Sequence, residues 1–287
     1  YLTGVMAGSD HGLRIIRHWR EVGGNSVVFD IKDSDGSVNI PFEHPLLGQH
    51  KVYLHDVPKF VHFLHSQNMH AIARIAIFRD ERLVVEHPEL AVQSRKINRL
   101  AQNGKLVWTD PSNTKVQDYD IALAKHVAQL GVDEIQFDYV RFPAEGDQKD
   151  AAFAFQKDQP EAPVADSTPA VSNDSTCLVL VPKRHHKKGA TATEASQTTQ
   201  LQKGPCPVAA KPRGPQRSDV IAAFLKKAYA ELHPTGVLLS LDVFGVMAWQ
   251  RNVDLAHTGQ DIVQMAQHCD VLSPMIYPSH FFGMDNI

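Results

Sequence analysis

The stretch Asp133-Glu134-Ile135-Gln136-Phe137-Asp138-Tyr139-Val140-Arg141-Phe142-Pro143 decides how the chain is read. Ile135, Phe137 and Tyr139 fall on one face at the strand period of two, and Gln136 and Asp138 fall on the other. Gly131, just before it, closes a helical pattern. A strand covered on both faces is expected to be apolar on both. Polar residues near its C-terminal end therefore need a reason, and in parallel α/β folds that end is where sites are built.

Working outward, strand patterns alternate with helical ones. Strands are expected at Leu2–Ala7, Ser26–Ile31, Ala71–Phe78, Glu134–Val140, Val237–Phe244 and Val271–Tyr277. Between them lie helical patterns at Leu13–Val22, Val57–Gln67, Val116–Leu130, Val220–Leu232 and Ile262–His268, with a weaker one at Glu81–Leu90. Ser218 or Asp219 is expected to cap the helix that carries the stripe Ile221, Phe224, Leu225, Ala228 and Leu232. Such alternation means a parallel sheet with right-handed crossovers. No G-x-G-x-x-G follows the first strand and no P-loop occurs, which argues against an open nucleotide-binding sheet. The fold class expected is α/β: a (β/α)8 TIM-type barrel, truncated to about six strands in this chain.

Three segments follow from this reading. Residues 1–143 form the first half of the barrel, with strands one to four. Residues 144–217 are a low-complexity insertion, rich in Pro, Ala, Ser, Thr, Gln and Lys, whose composition cannot build a core and predicts a largely unstructured loop. Residues 218–287 carry strands five and six. The chain opens on Tyr1-Leu2-Thr3-Gly4 without an initiator Met and stops just after a strand, so it reads as a fragment. On that reading strands seven and eight lie beyond Ile287, the piece alone is expected to be unstable, and an export signal lies outside it. An extracytoplasmic or cell-envelope location is favoured.

Composition excludes several classes. A hydrophobic content of 43% with 21% charged residues fits a soluble globular domain. A net charge of -3 gives no footprint for nucleic acid, and no apolar run is long enough for a membrane span. Three cysteines are too few for a disulfide framework; Cys177 and Cys206 could pair in an oxidising compartment, and Cys269 reads as a buried thiol. The 16 His residues are scattered without H-E-x-x-H or comparable spacing, so neither a metal nor a cofactor is expected.

Parity along each strand then sorts the polar residues. Asp30 and Lys32 lie opposite Val27, Phe29 and Ile31; Arg74 opposite Ala73, Ile75 and Ile77; Ser240 and Asp242 opposite Leu239, Leu241 and Val243. The last strand carries Ser273, Met275 and Tyr277 on one parity and runs on to His280. With the apolar parity under the helices and the mixed parity inside, Asp30, Arg74, Asp138, Asp242 and Tyr277 converge at the mouth. Two carboxylates and an Arg in one wet cleft are what acid–base chemistry on a polar substrate requires. Blander roles compete: Asp30 pairing with Lys32 or Arg74, Asp138 pairing with Arg141, Trp108 and Tyr277 as core aromatics rather than sugar platforms. Asp33-Ser34-Asp35-Gly36 reads as a turn, since Ile31 stands where a calcium loop needs its first carboxylate.

At these residues the chain resembles a bacterial glycoside hydrolase-type domain family, long carried as a domain of unknown function. The matching segments are Val28-Phe29-Asp30-Ile31-Lys32-Asp33 with Asp35-Gly36, Ala73-Arg74-Ile75 with Phe78-Arg79-Asp80, Trp108-Thr109-Asp110-Pro111, Glu134 to Pro143, and Ser273-Pro274-Met275-Ile276-Tyr277-Pro278-Ser279-His280. The resemblance covers almost the whole chain outside residues 144–217. It implies a TIM-type barrel related to amylase-like and galactosidase-like glycosidases, in which an Asp ending strand four is commonly the nucleophile. Asp138 matches that role. Asp242 is the second candidate, as an acid on strand five, where amylase-like enzymes usually carry Glu. A chitinase-like pattern is disfavoured because Val140 stands where its final Glu belongs.

The expected site is thus catalytic Asp138 and Asp242, with Asp30, Arg74, Trp108, Arg141, Tyr277 and His280 binding substrate. Arg74 and Arg141 are expected to flank Asp138. The expected function is two-carboxylate hydrolysis of a polysaccharide or oligosaccharide. The alternative is a carbohydrate-binding barrel without turnover that uses Trp108 and Tyr277 as platforms. A metal-dependent deacetylase would need a His/Asp ligand set that the sequence does not display.

Overall fold

The computed structural model describes residues 1–96, 108–156, 176–182, 199–205 and 214–277. The chain divides into two compact units, Tyr1–Asp158 with Pro215–Ile287, and Gln159–Gly214. The larger unit is built on a parallel sheet of β1 (Ser26–Lys32), β2 (His70–Ala76), β3 (Glu134–Asp138), β4 (Leu238–Phe244) and β5 (Val271–Met275). Spatial order follows chain order, as sequential strand–helix units of a TIM-type barrel require. Helices Val57–Ser66, Thr114–Ala128 and Arg217–Leu232 make the first three crossovers, and Asn252–Thr258 with Ile262–Met265 makes the last.

The expected first strand survives at one residue. Leu2 bridges to Phe29 in parallel, with its N–H on Val28 O at 2.8 Å and its carbonyl accepting from Asp30 N at 3.1 Å. Gly4–Ala7 is a helical turn instead, because the Thr3 hydroxyl accepts from Met6 N and caps it. Gly4 also packs so tightly on Asn39 that a Cβ there would lie 2.1 Å from it.

Parity holds across the sheet. Val27, Phe29, Ile31, Ala71, Ala73, Ile75, Ile135, Phe137, Leu239, Leu241 and Val243 are all buried in one core. Phe60, Val61 and Leu64 cover them from the first crossover, Tyr119, Leu123 and Val127 from the second, and Phe224, Leu225 and Ala228 from the third. Phe224 packs against Phe78 and Phe137, at centroid distances of 5.0 and 6.1 Å. Each fully buried Val, Leu, Ile or Phe among them contributes roughly 1.5–3 kcal/mol by leaving water. The helix carrying Phe224 starts earlier than its stripe: Gln216 is the cap, and Asp219 reaches back to the Gln216 N–H at 2.7 Å.

One local irregularity reassigns a charge. The β1–β2 register shifts between Asp30 and Lys32, so Asp30 stays opposite Arg74 while Lys32 comes opposite Ile75. Lys32 is thereby turned away from Asp30 and under the helices. Its Nζ lies 2.8 Å from both Asp80 and Asp120, over the Tyr119 ring at 5.0 Å, and all three charged groups are buried. Burial pushes the Asp120 carboxyl up to about 7 against the pull of Lys32. Asp33-Ser34-Asp35-Gly36 is a turn, closed by Gly36 N on Asp33 O at 2.9 Å with Gly36 at φ 91°.

The barrel unit reaches further into the low-complexity stretch than composition suggests. Ala151–Ala152 pairs antiparallel with Gln93–Ser94, and Phe153 is buried edge-on to Phe142 at 4.8 Å. Arg217 lies over both rings, 5.2 Å from Phe142 and 4.7 Å from Phe153, and so ties residues 142–153 to the helix that follows the insertion. Within the second unit, Thr176–Pro182 and Thr199–Pro205 form an antiparallel pair with Val179 opposite Gln202, where the composition predicts little structure. Cys206 lies outside the described residues. Among the described residues no helix is long and apolar enough to cross a membrane.

Candidate active site

A cleft of about 660 Å³ opens at the C-terminal ends of the strands. Asp138, Asp242 and Arg74 line it from the inward parity of β3, β4 and β2. The structure thus brings together the residues that parity predicts, and for the predicted reason: on the pleated sheet they share one face.

Arg74 organises one side of the cleft. Its Nη2 and Nε donate to the same oxygen of Asp138 at 2.6 and 3.2 Å, and its Nη1 donates to Asp30 at 2.7 Å. The other Asp138 oxygen accepts the Tyr139 N–H at 2.6 Å. Asp30 is fully buried and also accepts the Tyr1 hydroxyl. Burial raises the Asp30 carboxyl, with Tyr1 and Arg74 opposing the rise. Asp30, expected to touch substrate or to pair with Lys32 or Arg74, is buried and paired with Arg74.

Asp242 sits differently. It accepts Gln136 Nε2 at 2.9 Å, and no cation bonds it among the described residues. Burial, and then the charge of Asp138, push its carboxyl up to about 7; Arg74 and the Gln136 hydrogen bond pull the other way. Gln260, wholly buried, spans the strand ends behind it, donating to Val140 O at 3.4 Å and accepting Phe244 N at 3.3 Å.

Tyr139 has a left-handed backbone at φ 55°, a conformation costing a non-glycine residue on the order of 1 kcal/mol. The twist lets its carbonyl accept Arg141 N at 2.9 Å and turns its ring into the cleft. Arg141 does not reach Asp138. It donates to Glu145 at 3.0 Å and to Phe142 O at 3.1 Å, sandwiched by Trp108 at 4.4 Å and Phe244 at 4.6 Å. Trp108 therefore supports Arg141 and lies edge-on to Tyr139 at 5.8 Å. Tyr277, half exposed, lines the cleft, while His280 lies outside the described residues. Sequence reading gave no role to Arg79, Glu145 or Gln260, and it put Tyr139 on the covered face with Ile135 and Phe137, whereas the left-handed turn places its ring in the cleft. Arg79 and Tyr139 stood inside quoted motifs, but their orientation depends on turns that periodicity does not encode. Among the described residues no group of three or more His, Cys, Asp or Glu side chains is placed to hold a metal ion.

A hypothetical protein from Ruminiclostridium thermocellum ATCC 27405 superposes with a TM-score of 0.57 at 28% identity, over 85% of this chain and 96% of that one. The PgaB (BpsB) glycoside hydrolase domain from Bordetella bronchiseptica superposes with a TM-score of 0.56 at 12% identity, over 97% of this chain and 74% of that one, which shows a shared fold. No curated protein matches in sequence. A family model described as "Putative glycosyl hydrolase domain" matches residues 1–285, and the chain belongs to that family.

Proposed function

We propose that the chain hydrolyses glycosidic bonds of a polysaccharide, with Asp138 and Asp242 as the working pair. The observation that carries this reading is the unequal setting of two carboxyl groups on adjacent strand ends. Asp138 is ion-paired with Arg74, while Asp242 has no cation bonded to it among the described residues and is pushed up to about 7. Glycoside hydrolysis needs one carboxylate and one carboxylic acid in the same cleft. Asp138 then acts at the anomeric carbon, directly or through a water, and Asp242 protonates the departing oxygen. Family membership and the fold shared with a glycoside hydrolase domain support the reading. A cell-envelope polysaccharide is the substrate class we favour.

The test is kinetic. Asp138→Asn should cost about 10³-fold or more in turnover of a cleaved glycan while the fold stays intact, a loss of the size seen when other enzymes lose a charged catalytic group. Near wild-type turnover in both Asp138→Asn and Asp242→Asn would place the chemistry elsewhere. Glycan binding without turnover by the unmodified chain would favour the carbohydrate-binding alternative.

A further inference from the structure

Three guanidinium groups line the cleft, and two are already committed. Arg74 is held by Asp30 and Asp138, and Arg141 by Glu145. Arg79 has no carboxylate partner among the described residues. It donates Nη1 to Ser34 O at 3.0 Å and lies over the Tyr139 ring at 5.4 Å. One edge of its fork is fixed to the turn after β1 and one face to an aromatic wall, so little rotamer freedom remains to be lost on binding. Among the described residues its other guanidinium donors bond no protein group, and it lines the same cleft as the two candidate carboxyl groups.

Pairing, rather than total charge, sets Arg79 apart. Asp30 and Asp138 share Arg74, and Glu145 takes Arg141. Among the described residues no carboxylate bonds Arg79, so its charge is offset only at a distance. A neutral sugar would offer that guanidinium only hydroxyls beside its bond to Ser34 O. A carboxylate or sulfate on the sugar would pair with it through charge-assisted hydrogen bonds.

We propose that Arg79 is a specificity determinant that selects glycans carrying an anionic substituent, and that the Tyr139 ring beneath it sets where that substituent lies. The substrate class rests on the glycan-hydrolase reading above; the anion preference is a property of binding and is measured without turnover.

The experiment uses matched probes on the full chain carrying Asp242→Asn, which keeps the Arg74–Asp138 pair intact, by titration calorimetry. Trigalacturonate is set against its methyl ester, and a sulfated carrageenan tetrasaccharide against its desulfated counterpart. The charged member of at least one pair should bind about tenfold tighter, the scale of one charge-assisted hydrogen-bonded contact. The pair that discriminates identifies carboxylate or sulfate as the anion. Arg79→Gln should erase the difference between members, and Arg79→Lys should keep part of it. If Arg79→Gln fails to fold, Arg79→Lys and the salt dependence of the charged probe in the Asp242→Asn chain serve instead: binding must weaken with salt for the charged member only. Equal binding within both pairs, absence of binding by every charged probe, or a preference that persists in Arg79→Gln overturns the proposal. A charged preference in a chain that cleaves no glycan keeps it and removes only the hydrolase reading.

Discussion

Arg74 places two nitrogens on a single oxygen of Asp138, Nη2 at 2.6 Å and Nε at 3.2 Å. The second Asp138 oxygen is turned to the Tyr139 backbone. The carboxylate is thus fixed by donors on two sides. The geometry depends on neighbouring strands in register, since Arg74 faces Gln136 and Asp138 faces Ala76 across β2 and β3.

The first prediction separates positioning from contact. Asp30 is buried behind Arg74, so it acts on a substrate only through that guanidinium. Asp30→Asn should lower kcat several-fold on a cleaved glycan with little change in KM. Arg74→Met should do more, on the order of 10²-fold, because it leaves Asp138 and Asp30 without their shared cation. A KM effect alone in Asp30→Asn would put Asp30 in contact with the sugar after all.

A second prediction concerns pH. The Asp242 carboxyl titrates near 7 in the folded chain and near ~3.9 when unfolded. Between those values the folded state keeps a proton that the unfolded state gives up. Stability from this group therefore falls as pH rises through that window and is lost above about 7. Asp242→Asn removes the dependence. Its melting temperature relative to the parent should rise from about pH 4.5 to about 7 and level off above that, and a flat difference throughout would show that Asp242 is not the perturbed acid. In activity, kcat/KM should fall above about 7 with one deprotonation that Asp242→Asn abolishes.

The third prediction divides the roles. An acid matters in proportion to how badly the leaving group needs a proton. Asp242→Asn should slow an alkyl or sugar leaving group far more than a nitrophenolate. Asp138→Asn should slow both alike. The reverse pattern would exchange the assignments.

What the sequence disclosed was whatever depends on period. The alternation of Ile135 and Phe137 with Gln136 and Asp138 predicted both the covered face and the cleft-facing residues, and Asp242 followed by the same count on β4. Partnerships set by breaks in period were not legible. The bulge after Asp30 sends Lys32 under the helices, so counting by two put it beside the wrong groups. The left-handed Tyr139 starts a turn that carries Arg141 away from Asp138 and onto Trp108. Arg79 and Gln260 reach the cleft from segments that pack by turns and short helices, where no pattern marks the inward side.

The last prediction tests the buried charge cluster that the bulge creates. Lys32 serves two carboxylates, and one Asp120 oxygen has no hydrogen-bond partner among the described residues. Lys32→Met would strand both acids in the core, a change that costs roughly 3–5 kcal/mol in comparable buried pairs. Replacing the cluster together restores the balance: Lys32→Met with Asp120→Leu removes the opposed charges, and Asp80→Asn keeps the side-chain cap on Leu83 N. The triple variant should recover most of the lost stability in urea unfolding. The cluster lies on the helix-covered face, opposite Arg74 and Asp138, so turnover per folded molecule should stay close to that of the parent. A triple variant that folds as well as the parent but loses turnover would show that the cluster reaches the cleft. If Lys32→Met alone costs nothing, a proton shared by Asp80 and Asp120 is enough to satisfy the site, and Lys32 is not what holds β1 to the second crossover.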